Sequence, residues 1–234
     1  MTAPKDTPAK QPGQSLRPGN LDQQGEMVGR HYDLSAVALP ETYADGAGTV
    51  GFLMDWYAST PRGVVAKPQR EVLAEFFTSM LVLSAAFKYK PAVGAVNYLY
   101  YVDDRWSLSL IAPEQWSDAR RDGFAGICIL QADRTWTIEP SARLSEDTVV
   151  ADAVRRFYDG FREAMDRDGT LEDVLPFFAG RLGYYQRLNA NAVSRAIRAA
   201  IILGDQRDIP TREWRLALPR SARQLLPSYA GQSD

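Results

Sequence analysis

The longest regular pattern of apolar positions begins shortly after Pro68. Apolar residues recur there every three or four positions, which is the spacing of one face of an α-helix. They are Val72, Phe76, Met80, Leu83 and Phe87. A second apolar stripe widens this face, so the pattern predicts a helix Val72–Phe87 that lies in the core or at a subunit interface.

After Pro91 the pattern changes to the short period of β-strands. The residues become β-branched and aromatic, and one segment alternates apolar residues with serine. The predicted strands are Val96–Val102, Trp106–Leu110, Gly126–Leu130 and Thr135–Ile138, with Asp103 and Asp104 in the first turn. We expect an antiparallel meander of three or four strands whose apolar face is covered by the preceding helix.

Beyond Pro140 the apolar positions return to helical spacing. The expected elements are a helix containing Val150 to Met165 with Ser145 or Asp147 as N-cap, a helix capped by Thr170 that contains Val174 and Phe178, a helix Tyr184–Leu203 ended by Gly204, and a short amphipathic segment from Arg212. A further short helix is predicted at Gly51–Ser59. The fold class is therefore α+β, a small β-meander packed on a long apolar helix and followed by a C-terminal helical region.

The composition divides the chain into three parts. Residues 1–30 are rich in Pro, Gly and Gln, with little to bury, and are predicted to be a disordered tail. Residues 31–140 hold the apolar helix and the sheet. Residues 141–234 form the helical region, and the sequence leaves open whether it shares the core of the sheet.

Charge is distributed unevenly along the chain. Residues 181–234 contain nine arginines, no lysine and four acidic residues, a net charge of +5, against −7 for residues 1–180 and −2 for the whole chain. A basic segment of this kind is typical of a contact surface. Five arginines in it are candidate anion-binding residues, because a guanidinium binds phosphate or carboxylate through two hydrogen bonds. They are Arg187, Arg195, Arg198, Arg212 and Arg215. Pairing with the acidic part of the same chain is the alternative.

The residue types that most catalytic and metal sites need are scarce. His31 is the only histidine and Cys128 the only cysteine, and Cys128 lies in an apolar strand. We therefore predict no catalytic residues, no metal site and no cofactor. A single cysteine suits a reducing compartment, and no apolar stretch reaches the roughly 20 residues of a membrane span, so the predicted location is cytoplasmic.

Short motifs follow one another in a fixed order between Phe87 and Glu139. They are Phe87–Pro91 with Gly94, Asn97–Tyr100, Ser109–Trp116, Phe124 with Gly126, and Leu130, Asp133 and Thr135–Thr137. This series resembles the family called domain of unknown function 2452. The resemblance covers under a third of the chain. It implies a shared sheet and no activity.

Four residues of these motifs are candidate ligand-binding residues. Trp116 and Trp136 could line a groove in which Glu114 and Asp133 bind a cationic or hydroxyl-bearing ligand. The alternative is that the tryptophans fill the core while the carboxylates stabilise a cap and a turn.

The leading functional hypothesis is a non-enzymatic protein-interaction or structural module that associates with itself or with another protein. The apolar helix and the uneven charge favour it. Nucleic-acid or anionic-ligand binding through the C-terminal arginines is the first alternative. A small-molecule site at the Trp116/Trp136 edge of the sheet is the second.

Overall fold

The apolar stripe that begins at Val72 forms a buried helix. The computed structural model describes residues 48–177 and 182–226, and in it helix α2 spans Gln69–Leu83 directly after Pro68. Val72, Leu73 and Phe77 have no exposed surface. The prediction of an internal apolar helix is confirmed, because side chains on several sides of α2 are buried.

The described part of the chain contains six α-helices and four β-strands. The helices are α1 (Gly48–Ala58), α2, α3 (Asp118–Arg121), α4 (Val149–Ala164), α5 (Tyr184–Leu203) and α6 (Thr211–Leu216). The strands are β1 (Val96–Val102), β2 (Arg105–Ser109), β3 (Phe124–Leu130) and β4 (Trp136–Pro140). Single 3₁₀ turns occur at Pro113–Gln115, Ala142–Ser145, Leu171–Val174 and Ala222–Leu225. The α+β class is therefore confirmed.

The predicted helix was too long at its C-terminal end. α2 ends at Leu83, and Phe87 lies beyond it in extended chain. The reason is a backbone pairing: the Ala86 N–H donates to the Trp106 carbonyl at 2.9 Å, and the Leu108 N–H donates to the Ala86 carbonyl at 3.1 Å. The chain after α2 thus pairs in parallel with the outer edge of β2, and a helical backbone cannot do so.

The four strands form one antiparallel sheet in the order β2-β1-β3-β4. The hairpins β1–β2 and β3–β4 match the predicted meander, but β3 pairs with β1 instead of β2. Ala86 already occupies the free edge of β2. The link between β2 and β3 therefore crosses to the other edge of β1.

The inner face of the sheet packs on α2. Leu99, Leu108, Cys128 and Ile138 alternate inward from the four strands and are buried. Trp136 on β4 is fully buried on the same face. The expectation that α2 covers the sheet is confirmed.

The C-terminal helices complete the same core. The Phe77 ring of α2 lies 5.4 to 5.7 Å, between ring centroids, from three aromatic rings of α4. The Thr78 hydroxyl of α2 donates to the Leu225 carbonyl at 3.3 Å. One cluster of buried apolar residues contains side chains from α2, the sheet, α4 and α5, so residue 140 does not separate two hydrophobic cores. The predicted tail 1–30 lies outside the described residues.

Two predicted helix starts differ in detail. The N-cap of α4 is Thr148, whose hydroxyl accepts a hydrogen bond from the Ala151 N–H at 3.1 Å, and neither Ser145 nor Asp147 caps it. Thr170 caps only the 3₁₀ turn Leu171–Val174, because Pro176 follows and cannot continue a helix. Phe178, predicted in that helix, lies outside the described residues.

α5 ends at Gly204 as predicted, and the left-handed residue is the one that follows it. Gly204 has an ordinary φ of −88°, and Asp205 has a φ of +54°. The Gln206 N–H donates to the Ile201 carbonyl at 2.9 Å and the Asp205 N–H to the Ile202 carbonyl at 3.2 Å, which is a Schellman motif. A Cβ on Gly204 would lie 2.9 Å from the amide nitrogen of Gln206, so an alanine here would displace the side chain that donates to the Lys67 carbonyl.

We expect the substitution Asp205→Gly to stabilise the protein by about 1 kcal/mol. It relieves the left-handed strain of a non-glycine residue and removes a negative charge from a helix C-terminus. Urea unfolding measures the change, and thermal unfolding should show a rise of roughly 2 to 4 °C. The control Gly204→Ala should destabilise the protein, and equal stability of Asp205→Gly and wild type would contradict this account of the helix end.

Candidate functional site

The two candidate tryptophans lie on opposite faces of the sheet. Trp136 is buried on the inner face, and its backbone N–H donates to Ser79 Oγ at 3.0 Å. Trp116 lies on the outer face, with its ring centroid 6.4 Å from that of Tyr100. The Arg120 guanidinium lies 4.2 Å from the Trp116 ring centroid, a cation–π contact. The fold therefore does not bring the two indoles together in one groove.

The two candidate carboxylates are separated as well. Glu114 is exposed in the 3₁₀ turn before β3, whereas Asp133 lies in the turn after β3. β3 has seven residues, so its ends are about 20 Å apart. Asp133 Oδ1 accepts hydrogen bonds from the Thr135 N–H at 3.0 Å and the Thr135 hydroxyl at 2.7 Å. Asp133 thus stabilises the β3–β4 turn, as the structural alternative proposed.

Asp133 also belongs to a largely buried cluster of charged side chains from three separate segments. Lys67 Nζ lies 2.5 Å from Glu75 Oε1 on α2 and 3.0 Å from Asp133 Oδ2. The three side chains are 9%, 18% and 13% exposed, respectively. The Lys67 carbonyl accepts a hydrogen bond from the Gln206 side chain at 2.8 Å. We call Lys67, Glu75 and Asp133 the charge cluster; it joins the segment before α2 to α2 and to the sheet.

The charge cluster shifts the pKa of each member. Burial disfavours the charged form of Lys67, but its hydrogen bonds to both carboxylates outweigh burial and raise its pKa. Burial also acts to raise the pKa of Asp133, yet the hydrogen bonds from Thr135 and Lys67 bring it below the ordinary value. Burial keeps the pKa of Glu75 raised in spite of Lys67. Lys67 is therefore the group that allows two carboxylates to be buried together.

Three of the five candidate arginines form ion pairs within the chain. The pairs are Arg198 with Glu172 at 3.1 Å, Arg212 with Asp168 at 3.1 Å and Arg215 with Asp166 at 3.7 Å. All three acids lie between α4 and α5. These arginines thus follow the alternative interpretation, internal pairing with acidic residues of the same chain.

The other two candidates are placed differently. Arg187 is half-buried and forms no ion pair with the described residues. The Arg195 guanidinium lies 4.5 Å from the centroid of the Trp56 ring on α1 and donates to the Ser59 carbonyl at 3.3 Å. Arg195 thus binds the C-terminal end of α1, where a cation interacts favourably with the helix dipole.

Half of the outer sheet face is apolar and partly exposed. Val96 and Tyr98 of β1 lie directly beside two isoleucines of β3, and the link after β2 adds Ile111, whose carbonyl accepts a hydrogen bond from the Tyr100 hydroxyl at 2.8 Å. We call this surface the outer patch; it consists of Val96, Tyr98, Ile111, Ile127 and Ile129. Val96 is 45% exposed and Ile111 40%. The remaining half of the face is covered by Trp116 and its neighbours.

Polar and acidic residues surround the outer patch. Ser109 of β2 lies beside Tyr98, and Thr137 and Glu139 of β4 lie beside the two isoleucines. None of these flanking positions carries a lysine or an arginine. An apolar centre with a polar rim is the usual composition of a protein-binding surface.

Addition of a further strand is hindered at both edges of the sheet. Ala86 pairs with the outer edge of β2. On β4 the groups that face away from β3 belong to Trp136, Ile138 and Pro140. The Trp136 N–H donates to Ser79, and proline has no N–H to offer. The outer face is therefore more accessible to a partner than either edge is.

Other chemistry is limited in the described ranges 48–177 and 182–226. Cys128 is fully buried, and burial raises the pKa of its thiol, so it lacks the features of a reactive cysteine. No group of three or more metal-binding side chains occurs in these ranges. None of their helices combines the length and the apolar composition needed to cross a membrane. A surface groove of about 450 Å³ beside α4 is lined by none of the four candidate ligand residues.

Comparison with known proteins gives no family and no relative from which a function could be inferred. No family model matches the chain. No curated protein and no solved structure matches it either. The resemblance of Phe87–Glu139 to domain of unknown function 2452 stays a prediction from its motifs, and that segment contains the four strands of the sheet.

Sequence reasoning missed the charge cluster. Lys67 and Asp133 are separated by 66 positions, so no local pattern indicates that they pair. Glu75 offered the one signal, because it interrupts the apolar stripe of α2 and a carboxylate at such a position needs a buried partner. Arg134, whose guanidinium donates to the Ala58 carbonyl at the end of α1, was not a candidate because it lies in a turn.

We expect Lys67→Met to destabilise the protein by about 3 to 5 kcal/mol at pH 7, because two buried carboxylates lose their cation. The loss should shrink as the pH falls from 7 towards 5. Without Lys67 the folded-state pKa of Glu75, already raised, rises further above its unfolded value, and that of Asp133 rises as well, so protonation then favours folding. Urea unfolding at several pH values measures both effects.

The matched control is Lys90→Met, since Lys90 pairs with Asp55 and its side chain is 51% exposed. Exposed pairs contribute little, so we expect a loss below about 1 kcal/mol with no comparable pH dependence. A Lys67→Met variant as stable as this control would show that the charge cluster does not stabilise the fold.

Proposed function

We propose that this protein is a protein-interaction module and that its outer patch binds a second copy of the same chain. The supporting observation is the apolar block of Val96, Tyr98, Ile127 and Ile129 on the open half of an otherwise covered sheet. Exposed apolar side chains that lie side by side typically mark an interaction surface.

The composition of the surface favours a protein partner over nucleic acid. Nucleic-acid surfaces that stack bases on aromatic residues also need lysine or arginine along the backbone path. The positions beside the outer patch carry Ser109, Thr137 and Glu139 instead. Arg105, the nearest basic residue of β2, lies beside Val102 at the far end of β1.

The closed edges favour a face-to-face dimer. Because Ala86 pairs with β2 and Pro140 lacks an N–H on β4, a second copy would approach through the face of the sheet. A twofold axis places the same patch on both partners. Two identical apolar patches do not repel each other, because neither carries a strong charge. The outer patch can therefore bind the same patch on a second copy.

The size of the outer patch sets the expected strength of the dimer. Stable interfaces bury about 800 Å² on each partner, and five partly buried side chains supply only part of that area. We therefore expect a dimer that dissociates at micromolar or higher concentration and is detected only in a concentration series.

The apolar helix that first suggested self-association supports the proposal less than the sheet does. α2 is enclosed by the sheet, α4 and α5, and its apolar side chains are used within the chain. The outer patch, and not α2, is therefore the contact surface that we propose. We also propose a cytoplasmic location, supported by the single, fully buried Cys128.

We expect Val96→Glu to abolish self-association without loss of folding, because it places a charge within the apolar contact. Sedimentation velocity between about 10 µM and 1 mM should show a weight-average mass that rises towards a dimer for wild type and stays monomeric for the variant. The matched control is Val65→Glu, at a residue that is 56% exposed outside the sheet.

The control should self-associate like wild type. A wild-type protein that stays monomeric over the whole concentration range would contradict the proposal, and so would a Val96→Glu variant that dimerises as wild type does. Urea unfolding of both variants shows whether the substitutions leave the fold intact.

A further inference from the structure

Three arginines from separate parts of the chain come together at the C-terminal end of α1. Arg62 lies in the segment after α1, Arg134 in the β3–β4 turn and Arg195 in the middle of α5. The backbone N–H of Arg62 donates to the Ala132 carbonyl at 3.1 Å, which fixes the segment two residues from Arg134. We call these three residues the arginine cluster.

Two of the arginines are held by the last turn of α1. Arg134 Nη2 donates to the Ala58 carbonyl, and Arg195 Nη2 donates to the Ser59 carbonyl and hydroxyl, both at 3.3 Å. Both side chains are half-buried, whereas Arg62 is exposed. The arginine cluster therefore has a fixed base of two guanidinium groups and one accessible guanidinium beside them.

No carboxylate of the described residues forms an ion pair with the arginine cluster. The nearby acids are already engaged, Asp55 with Lys90 and Asp133 with Lys67. The like charges are close enough to act on one another: burial and then the charge of Arg62 lower the pKa of Arg134, and burial and then Arg134 lower that of Arg195. Positive charge thus accumulates here without a paired carboxylate among the described residues.

Hydrogen-bond donors also remain unused. The Nε atoms of Arg134 and Arg195 are buried and have no acceptor among the described residues. Buried donors in proteins are usually paired, and here two neighbouring guanidinium groups can each offer one more donor to a ligand. Arg134 and Arg195 bind the end of α1 through their Nη2 atoms alone. These contacts do not account for the Nε donors or for the presence of Arg62.

We propose that Arg62, Arg134 and Arg195 bind the phosphate group of a small ligand. A phosphate oxyanion supplies several acceptors and two negative charges, and planar guanidinium groups bind it through paired hydrogen bonds. Half-buried guanidinium groups favour such an anion more than exposed ones do, because water screens them less. The site lies at the end of α1, so it does not depend on the outer patch.

Isothermal titration calorimetry tests this site with two probes, inorganic phosphate and glycerol 3-phosphate, at constant ionic strength set with chloride. We expect saturable binding of at least one probe to wild type. If only glycerol 3-phosphate binds, the ligand is a phosphate ester; if inorganic phosphate binds equally well, the phosphate group alone is recognised. Heat signals that do not saturate for either probe would overturn the proposal.

Arg62→Gln is the informative variant, because its exposed side chain makes no hydrogen bond or ion pair in the described structure and the fold should tolerate its loss. We expect an affinity about tenfold weaker, as for the loss of one charge-assisted contact. The control Arg212→Gln removes an equally charged, exposed arginine that pairs with Asp168, and it should bind like wild type. Equal affinity of Arg62→Gln and Arg212→Gln would overturn the proposal.

Discussion

The architecture depends on the need to bury helix α2 on several sides at once. Its apolar side chains do not form a single stripe, so one covering layer is insufficient. The sheet covers one side, and α4 and α5 cover the others. The Ser79 hydroxyl and the Thr78 hydroxyl fasten α2 to β4 and to the last described turn. Because α2 is the shared contact of all these elements, the sheet and the C-terminal helices share one core.

The same arrangement leaves part of one sheet face without a helical layer among the described residues. Helices α4 and α5 pack on α2 at the inner face, and in residues 48–177 and 182–226 the link between β2 and β3 covers part of the outer face. That link places Trp116 over Tyr100 and covers half of the face. The exposed remainder is the outer patch. The location of this apolar surface thus follows from where the helices lie, and it could not be found before the position of α2 was known.

Local patterns predicted those elements that local forces determine. The period of Val72 to Leu83 and the alternation in β2 each indicated the correct element, and α5 has the predicted bounds. Errors arose where a distant group decides the outcome. The pairing of Ala86 with β2 ended α2 early and changed the strand order. The roles of the candidate site residues were missed for the same reason, because the partners of Asp133 and Arg195 come from distant segments.

The closure of both sheet edges has a consequence for how this chain can assemble in a crowded solution. Apolar sheets with free edges recruit identical strands one after another and grow into fibrils without limit. Here Ala86 occupies one edge, and Pro140 with the Ser79 contact obstructs the other. Growth by strand recruitment is therefore hindered at both edges. An apolar outer face can be exposed in this fold with a lower tendency towards amyloid-like polymerisation than a sheet with two free edges would have.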